Sequence, residues 1–297
     1  MSLYPKGAAY IDGQIVPISE AKIPMLDWGF LHSDATYDVA HVWEGKFFRV
    51  DDYIERFHAG MEKLHLSLPI TREDIKQIMH DCVRATGLQD AYVEIICTRG
   101  QPAPGSRDPR SCTNQFWAFV IPFVWVLKPE QTGLSVIISE RPRIAAASVD
   151  PTIKNYHWLD LVMGLYEAYD KEAESVLLVD GEGNLCEGPG FNVFFLKGNT
   201  LSTPQAGVLQ GITRKTVLAL AEQQGLEIHI ADIHRSAAAE ADEVFVTSTA
   251  GGPMPVTVLD GREINQGEPG PITQQLRQAY WDLHNDPAYT EAVEYQP

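Results

Sequence analysis

The sequence predicts a two-domain α+β protein, and three observations carry that expectation. Its 297 residues, 44% of them hydrophobic, are enough to build two packed cores. Strand and turn signals dominate both ends of the chain, with stretches of helical periodicity between them. Hairpins recur too often for a uniform βαβ array.

In chain order, AAYIDGQIVPI is two short apolar runs around Asp12-Gly13, and HVWEGKFFRV repeats the scheme around Glu44-Gly45, so both read as hairpins. Ile54, Phe57, Met61 and Leu64 then mark a helix between Asp51 and Leu66, with Asp51 or Asp52 near its start. A second helix follows Thr71, whose Thr-x-x-Asp is a capping-box pattern, and runs through Ile75, Ile78, Met79 and Cys82 to Gly87. Two strands come next, AYVEIICTRG and NQFWAFVIPFVWV, joined by the Pro-, Gly- and Arg-rich QPAPGSRDPRSCT. LKPEQTG is the best boundary, which divides the chain into a domain of residues 1–126, a linker of 127–133 and a domain of 134–297.

Beyond it, LSVIISE reads as a strand, and Trp158, Leu161, Val162 and Leu165 as the packed face of a helix. VLLVDGEGNLCEGPGFNVFFL reads as a pair of strands around a tight turn at Asp180-Gly181. Its glycines do not make a dinucleotide loop, because that fingerprint must lead from a strand into a helix and this one leads into another strand. GITRKTVLALAEQQG is a helix closed by Gly225, with Val217, Leu220 and Ala221 on one side; EIHIADI and EVFVTST are strands, and ITQQLRQAYWDLHN is a last helix.

Net charge is −17, from 23 basic against 40 acidic residues, with no basic block, so nucleic acid and anionic membrane are poor partners. Any bound anion must be gathered by a local set of donors. No run approaches the roughly 18 apolar residues of a membrane span, and the first residues carry no apolar signal-peptide core. Cys82, Cys97, Cys112 and Cys186 lie far apart and read as reduced thiols of a cytoplasmic protein. His229 and His234 have no third ligand at plausible spacing, and no metal is expected.

In VDPTIKNYHWLDLVMG, Lys154 stands just before a helix that buries one face. A lysine there is ordinarily solvated, yet Ile153, Tyr156 and Trp158 put bulk close to it. Burial penalises the ammonium form, and a neutral amine is a nucleophile suited to Schiff-base chemistry.

Lys154 in VDPTIKNYHW, Glu187 in LCEGPGFNVF, then LQGITRK and TSTAGG together resemble the pyridoxal-phosphate-dependent aminotransferases of fold type IV. That group includes the branched-chain and D-amino-acid aminotransferases and the aminodeoxychorismate lyases. The resemblance runs from AAYIDG to the last helix. It implies a smaller N-terminal α/β domain, a larger C-terminal domain with a barrel-like β core, and pyridoxal 5′-phosphate held by Lys154 as a Schiff base. It further implies that Glu187 holds the proton of the cofactor's ring nitrogen, an electron sink only while protonated. Ile212, Thr213, Thr249 and Arg56 are implied as donors to the phosphate, which the start of the GITRK helix would also favour through its free amides and dipole. Homodimers with shared active sites are implied as well.

FLHSDATYDVAHVWEGKFFRVDD, with YVEIICTRG and KNYHWLDL, looks most like the (R)-selective amine:pyruvate transaminases of this fold type. That similarity implies a primary amine as donor and a keto acid such as pyruvate as acceptor, with His32, Tyr37, Val39, Glu94, Trp158 and Ala250 lining or supporting the substrate pockets. In QPAPGSRDPR, Arg107 is a better fit than Arg110 to the arginine that meets the acceptor's carboxylate. A branched-chain or D-amino-acid aminotransferase is the alternative, sharing every cofactor residue. A lyase, or a cofactor-binding protein without turnover, is further off.

Overall fold

The structure, a computed structural model, describes residues 3–295. Contacts divide the chain into two compact units: unit 1 runs to Val124 and adds Ile153–Tyr156 and the residues from His284 on, and unit 2 is Trp125–Thr152 with His157–Leu283. This differs from the expected division in two ways. The change of unit precedes LKPEQTG, because Leu127 is fully buried in the core of unit 2. The chain also returns to unit 1 twice, once at Lys154 and once at the C-terminal segment.

Among the described residues unit 1 holds an antiparallel seven-stranded sheet. Its strands are β1 (Ala8–Ile11), β2 (Gln14–Pro17), β3 (Ala35–Trp43), β4 (Lys46–Phe48), β5 (Ala91–Gln101), β6 (Thr113–Pro122) and, last in the chain, β15 (Thr290–Ala292). They lie in the order β15-β4-β3-β5-β6-β1-β2. Both expected hairpins are present, and each turn takes two successive positive φ angles, 52° and 77° at Asp12-Gly13 and 48° and 75° at Glu44-Gly45, which suits the twist of the flanking strands.

Among the described residues the α-helices of this unit are α1 (Trp28–His32), α2 (Val50–Lys63) and α3 (Arg72–Thr86). α2 packs on β3, and α3 on β1 and β6. The Thr71 capping box forms in both directions with Asp74, and Gly87 ends α3 in the left-handed conformation. Helix α1 and strand β15 have no counterpart in the sequence reading.

Unit 2 carries the sheet order β11-β10-β9-β12-β13-β7-β8, with β14 beside β13. The strands are β7 (Leu134–Pro142), β8 (Ser175–Val179), β9 (Asn192–Lys197), β10 (Thr200–Pro204), β11 (Glu227–Ala231), β12 (Glu243–Ser248), β13 (Gly252–Leu259) and β14 (Arg262–Glu263). The helices are α4 (Leu159–Asp170), α5 (Ile212–Gln223) and α6 (Pro271–Asp282). β9, β12 and β13 pair antiparallel, whereas β7 joins β13 and β8 in parallel.

Two expectations are corrected here. Leu161, Gly164 and Ala168 form the buried stripe of α4, with Trp158 and Leu165 packed beside it, but Val162 is exposed because it lies off that stripe. β8 and β9 are not a hairpin pair, since β8 sits at the sheet edge and β9 lies between β10 and β12. The turn at Asp180 exists, closed by N–H groups of Glu182 and Asn184 on the Asp180 carboxylate, and its positive φ falls at Gly183. What returns alongside β8 is residues 185–187, paired to Leu178 through Cys186 N and Glu187 O. A second turn at 188–191 then sends the chain away to β9, so Glu187 stands at the end of a short limb between two turns.

Candidate active site

In unit 1, the backbone of Lys154 is tied to β3: its carbonyl accepts from Thr36 Oγ1 at 2.9 Å and from Tyr37 N at 3.1 Å. The side chain is half-buried, and Nζ lies 4.5 Å from the centre of the Tyr37 ring. Tyr37 stacks on Tyr156 with ring centres 4.3 Å apart. The Tyr156 hydroxyl donates to Glu94 at 2.6 Å, and Tyr92 donates to the other carboxylate oxygen at 2.9 Å. Val39 lies directly across the β3–β5 ladder from Glu94. Four predicted residues, Tyr37, Val39, Glu94 and Lys154, thus form one cluster, to which the structure adds Tyr92 and Tyr156.

Burial raises the pKa of Glu94 against the opposing pull of Tyr156, Tyr92 and Lys154, and Asp38 adds to the rise. A carboxyl group with a raised pKa in the folded state contributes its stability below the ordinary value and loses it as pH climbs through the folded one. Glu94→Gln removes that dependence. The melting temperature of the variant apoprotein is therefore expected to gain on the wild type as pH rises from 4.5, the ordinary value, toward neutrality. A constant difference across that range would mean that Glu94 titrates as an exposed carboxylate does.

On the α2 side of β3, Arg56 forks onto the fully buried Asp38, with Nε to Oδ2 at 2.8 Å and an amino group to Oδ1 at 2.7 Å. Burial alone would lower the arginine's pKa, and Asp38 more than offsets this, so the guanidinium is held charged and oriented. His32, edge-on to Trp28 at the end of α1, and Arg107, in the loop between β5 and β6, are both exposed and not hydrogen-bonded to the Lys154 cluster. Arg110 is forked onto Asp108, whereas Arg107 makes no hydrogen bond or ion pair among the described residues.

In unit 2, Glu187 is 8% exposed. Its Oε1 accepts from Arg143 at 3.0 Å, and its Oε2 from Leu209 N at 2.9 Å and Asn192 Nδ2 at 3.5 Å. Arg143 in turn donates to Asp160 at 2.6 Å. Trp158 lies by the second turn, its ring 3.5 Å from where a Cβ at Gly190 would stand. Ile212 and Thr213 open α5, which Gly211 caps without a side-chain hydrogen bond. A Cβ at Gly211 would meet Asn192 Oδ1 at 2.2 Å, so the approach is close enough for glycine alone. Thr249 and Ala250 are half-buried just past β12, and the Ala250 carbonyl accepts from Val126 N.

Thr213 Oγ1 is buried and has no hydrogen-bond partner among the described residues, and neither has Thr247 Oγ1 on β12. Leaving a buried hydroxyl unpaired costs about 1–3 kcal/mol. A hydroxyl without a partner at a helix start without a side-chain cap is what an anion would satisfy. The donor set of unit 2 therefore fits a phosphate-bearing cofactor whose ring nitrogen meets a carboxylate.

The chain matches the family described as Amino-transferase class IV over residues 35–259. It belongs to the class IV aminotransferases. Class IV aminotransferases use pyridoxal 5′-phosphate, and the aminotransferase fold expected from the motifs is the one observed. A putative branched-chain-amino-acid aminotransferase of Methanocaldococcus jannaschii is 30% identical over 277 residues, covering 92% of this chain and 95% of that protein. A D-alanine aminotransferase of Bacillus licheniformis is 28% identical over 270 residues, covering 90% and 94%. The branched-chain amino acid aminotransferase of Thermobaculum terrenum, solved in its pyridoxal-phosphate form, superposes with a TM-score of 0.87 at 27% identity, covering 99% of this chain and 100% of that one.

Arg143, Asp160, Asp38, Asn192, Tyr92 and Thr247 belong to these clusters and escaped the sequence reading. Asp38 alone had a usable signal, an acid inside the largely apolar strand run YDVAHVW, where burial would require a partner.

Proposed function

We propose that this aminotransferase takes the amino group of an α-amino acid of the branched-chain or D-alanine kind and passes it to a keto acid. The likeness to two aminotransferases of those kinds over 90% or more of the chain carries the reading. A second reading has one observation in its favour: the Lys154 cluster holds a buried carboxyl group, Glu94, which disfavours a second carboxylate beside it and suits a primary amine such as an (R)-configured aralkyl amine.

Lys154 would hold the cofactor covalently through its aldehyde, Glu187 would meet the ring nitrogen, and Arg56, Ile212, Thr213 and Thr249 would hold the phosphate. When bound, the cofactor supplies the electron sink that makes a proton on the donor's Cα removable. Lys154 Nζ, once displaced by the donor, would act as the base that takes that proton and would then give it up again as an acid. Thr36 and Tyr37 fix the lysine's backbone, so only its side chain swings. Tyr37, Tyr156 and Val39 present the apolar wall against the donor's side chain. Arg107, exposed and without an ion pair among the described residues, would meet the acceptor's carboxylate.

The test is a half-reaction: holoenzyme mixed separately with leucine, D-alanine and (R)-1-phenylethylamine, following loss of the cofactor's visible absorption. Leucine or D-alanine is expected to react fastest. Reaction with the aralkyl amine alone would replace the first reading with the second, and silence with all three would overturn both.

The assembly that fits is a homodimer. In unit 1, Ile23, Met25, Leu26, Phe30 and Leu31 are exposed, and α1 buries no residue; in unit 2, Leu159, Val162, Met163, Tyr166 and Tyr169 are exposed along α4. Apolar stretches of this kind mark contact surfaces. Light scattering that reports a single chain would reject the dimer. The four cysteines are free and three are buried, which suits a reducing compartment such as the cytoplasm; fractionation of the source cells would test that location.

A further inference from the structure

We propose that Arg143 and Asp160 are positioning residues for Glu187: Arg143 fixes one carboxylate oxygen in place, and Asp160 takes up the arginine's charge so that Glu187 keeps its own for the cofactor's ring proton. The inference rests on the reading of Glu187 as the ring-nitrogen partner.

The geometry is a chain of three charged groups in unit 2. Arg143 is 14% exposed in its side chain, Asp160 11% and Glu187 10%. One amino group of Arg143 donates to Asp160 Oδ2 at 2.6 Å and the other to Glu187 Oε1 at 3.0 Å. Asp160 is itself held by two backbone N–H groups, Ile144 on Oδ2 and Leu161 on Oδ1, both at 2.8 Å. The anchor therefore runs from the start of α4 to Glu187 without relying on a mobile side chain.

Two carboxylates and one guanidinium leave a net charge of −1. A lone Arg143–Glu187 pair would leave none, and Glu187 would then have little charge to offer a protonated ring. Stability does not explain such a cluster, because replacing buried ion pairs by apolar groups is often neutral or stabilising. Glu187 Oε2 meanwhile takes the Leu209 N–H at 2.9 Å, so both oxygens are oriented from within the protein before any ligand arrives.

The test compares binding of pyridoxal phosphate with that of its 1-deaza analogue, which has C–H where the ring nitrogen stands. Affinities for the apoprotein are read by equilibrium dialysis for wild type, Asp160→Asn, Arg143→Gln and Glu187→Gln. The ratio of the two affinities isolates the ring-nitrogen contact. Asp160→Asn and Arg143→Gln are each expected to lower that ratio about tenfold, close to the fall in Glu187→Gln, and to leave affinity for the deaza analogue within about threefold of wild type. If Glu187→Gln lowers the ratio and the other two do not, the positioning role is wrong while the reading of Glu187 stands. If Glu187→Gln leaves the ratio unchanged, that reading is itself wrong. Asparagine keeps the size of Asp160 and one acceptor for its backbone partners; should that variant not fold, Arg143→Gln decides alone.

Discussion

Replacing Lys154 with alanine is expected to slow the amine half-reaction by about 10³-fold or more and to leave the fold in place. The rate effect follows from losing a positioned base, which contributes roughly 10²–10⁴-fold by itself, together with the covalent tether. The fold should survive because alanine keeps the main-chain carbonyl of residue 154, which accepts from Thr36 and Tyr37. The side chain is half-buried and lies against one face of Tyr37, so its removal should cost about 1 kcal/mol or less. Borohydride reduction of the holoenzyme followed by digestion gives an independent measurement. Wild type should carry the cofactor on the peptide containing Lys154, and the variant should carry none. Label on a different lysine would remove Lys154 from the reaction, whatever the rates.

Features whose cause lies within a few residues were legible in the sequence. Asp12-Gly13 and Glu44-Gly45 announce their turns because the backbone there needs positive φ, and Thr71 with Asp74 announces a helix start because each side chain satisfies the other's backbone. Lys154 and Glu187 stand out in the sequence through motifs and not through neighbours. Their partners were not found, because each pairing joins residues distant in sequence that carry no local signal. Arg143 meets Glu187 across 44 positions, Tyr156 meets Glu94 across 62, and β15 meets β4 from the far end of the chain. Strand β13 was hidden for a different reason: Pro253 and Pro255 lack the N–H that a central strand donates, yet the strand forms between β12 and β7. Helix α1 buries no residue, so it had no apolar period to display.

Asp38→Asn is expected to destabilise the apoprotein by about 3 kcal/mol and to weaken its hold on phosphate at the same time. Asp38 has no exposed side-chain surface, and both of its oxygens are engaged by Arg56, whose own side chain is 14% exposed. Removing one partner of a buried ion pair leaves the other charge uncompensated, and this typically costs about 3–5 kcal/mol. Asparagine retains one acceptor, which also serves Val39 N at 2.7 Å in the wild type, so the loss falls at the lower end of that range. If Arg56 is a phosphate ligand, a bound anion should restore part of what the carboxylate supplied. Urea titrations of wild type and variant apoprotein, with and without inorganic phosphate, would separate the two roles. Phosphate should stabilise the variant more than a salt of equal ionic strength does, by RT ln(1 + [L]/Kd) for whatever affinity remains. Equal effects of phosphate and the control salt would leave Arg56 a structural partner of Asp38 with no part in holding the cofactor.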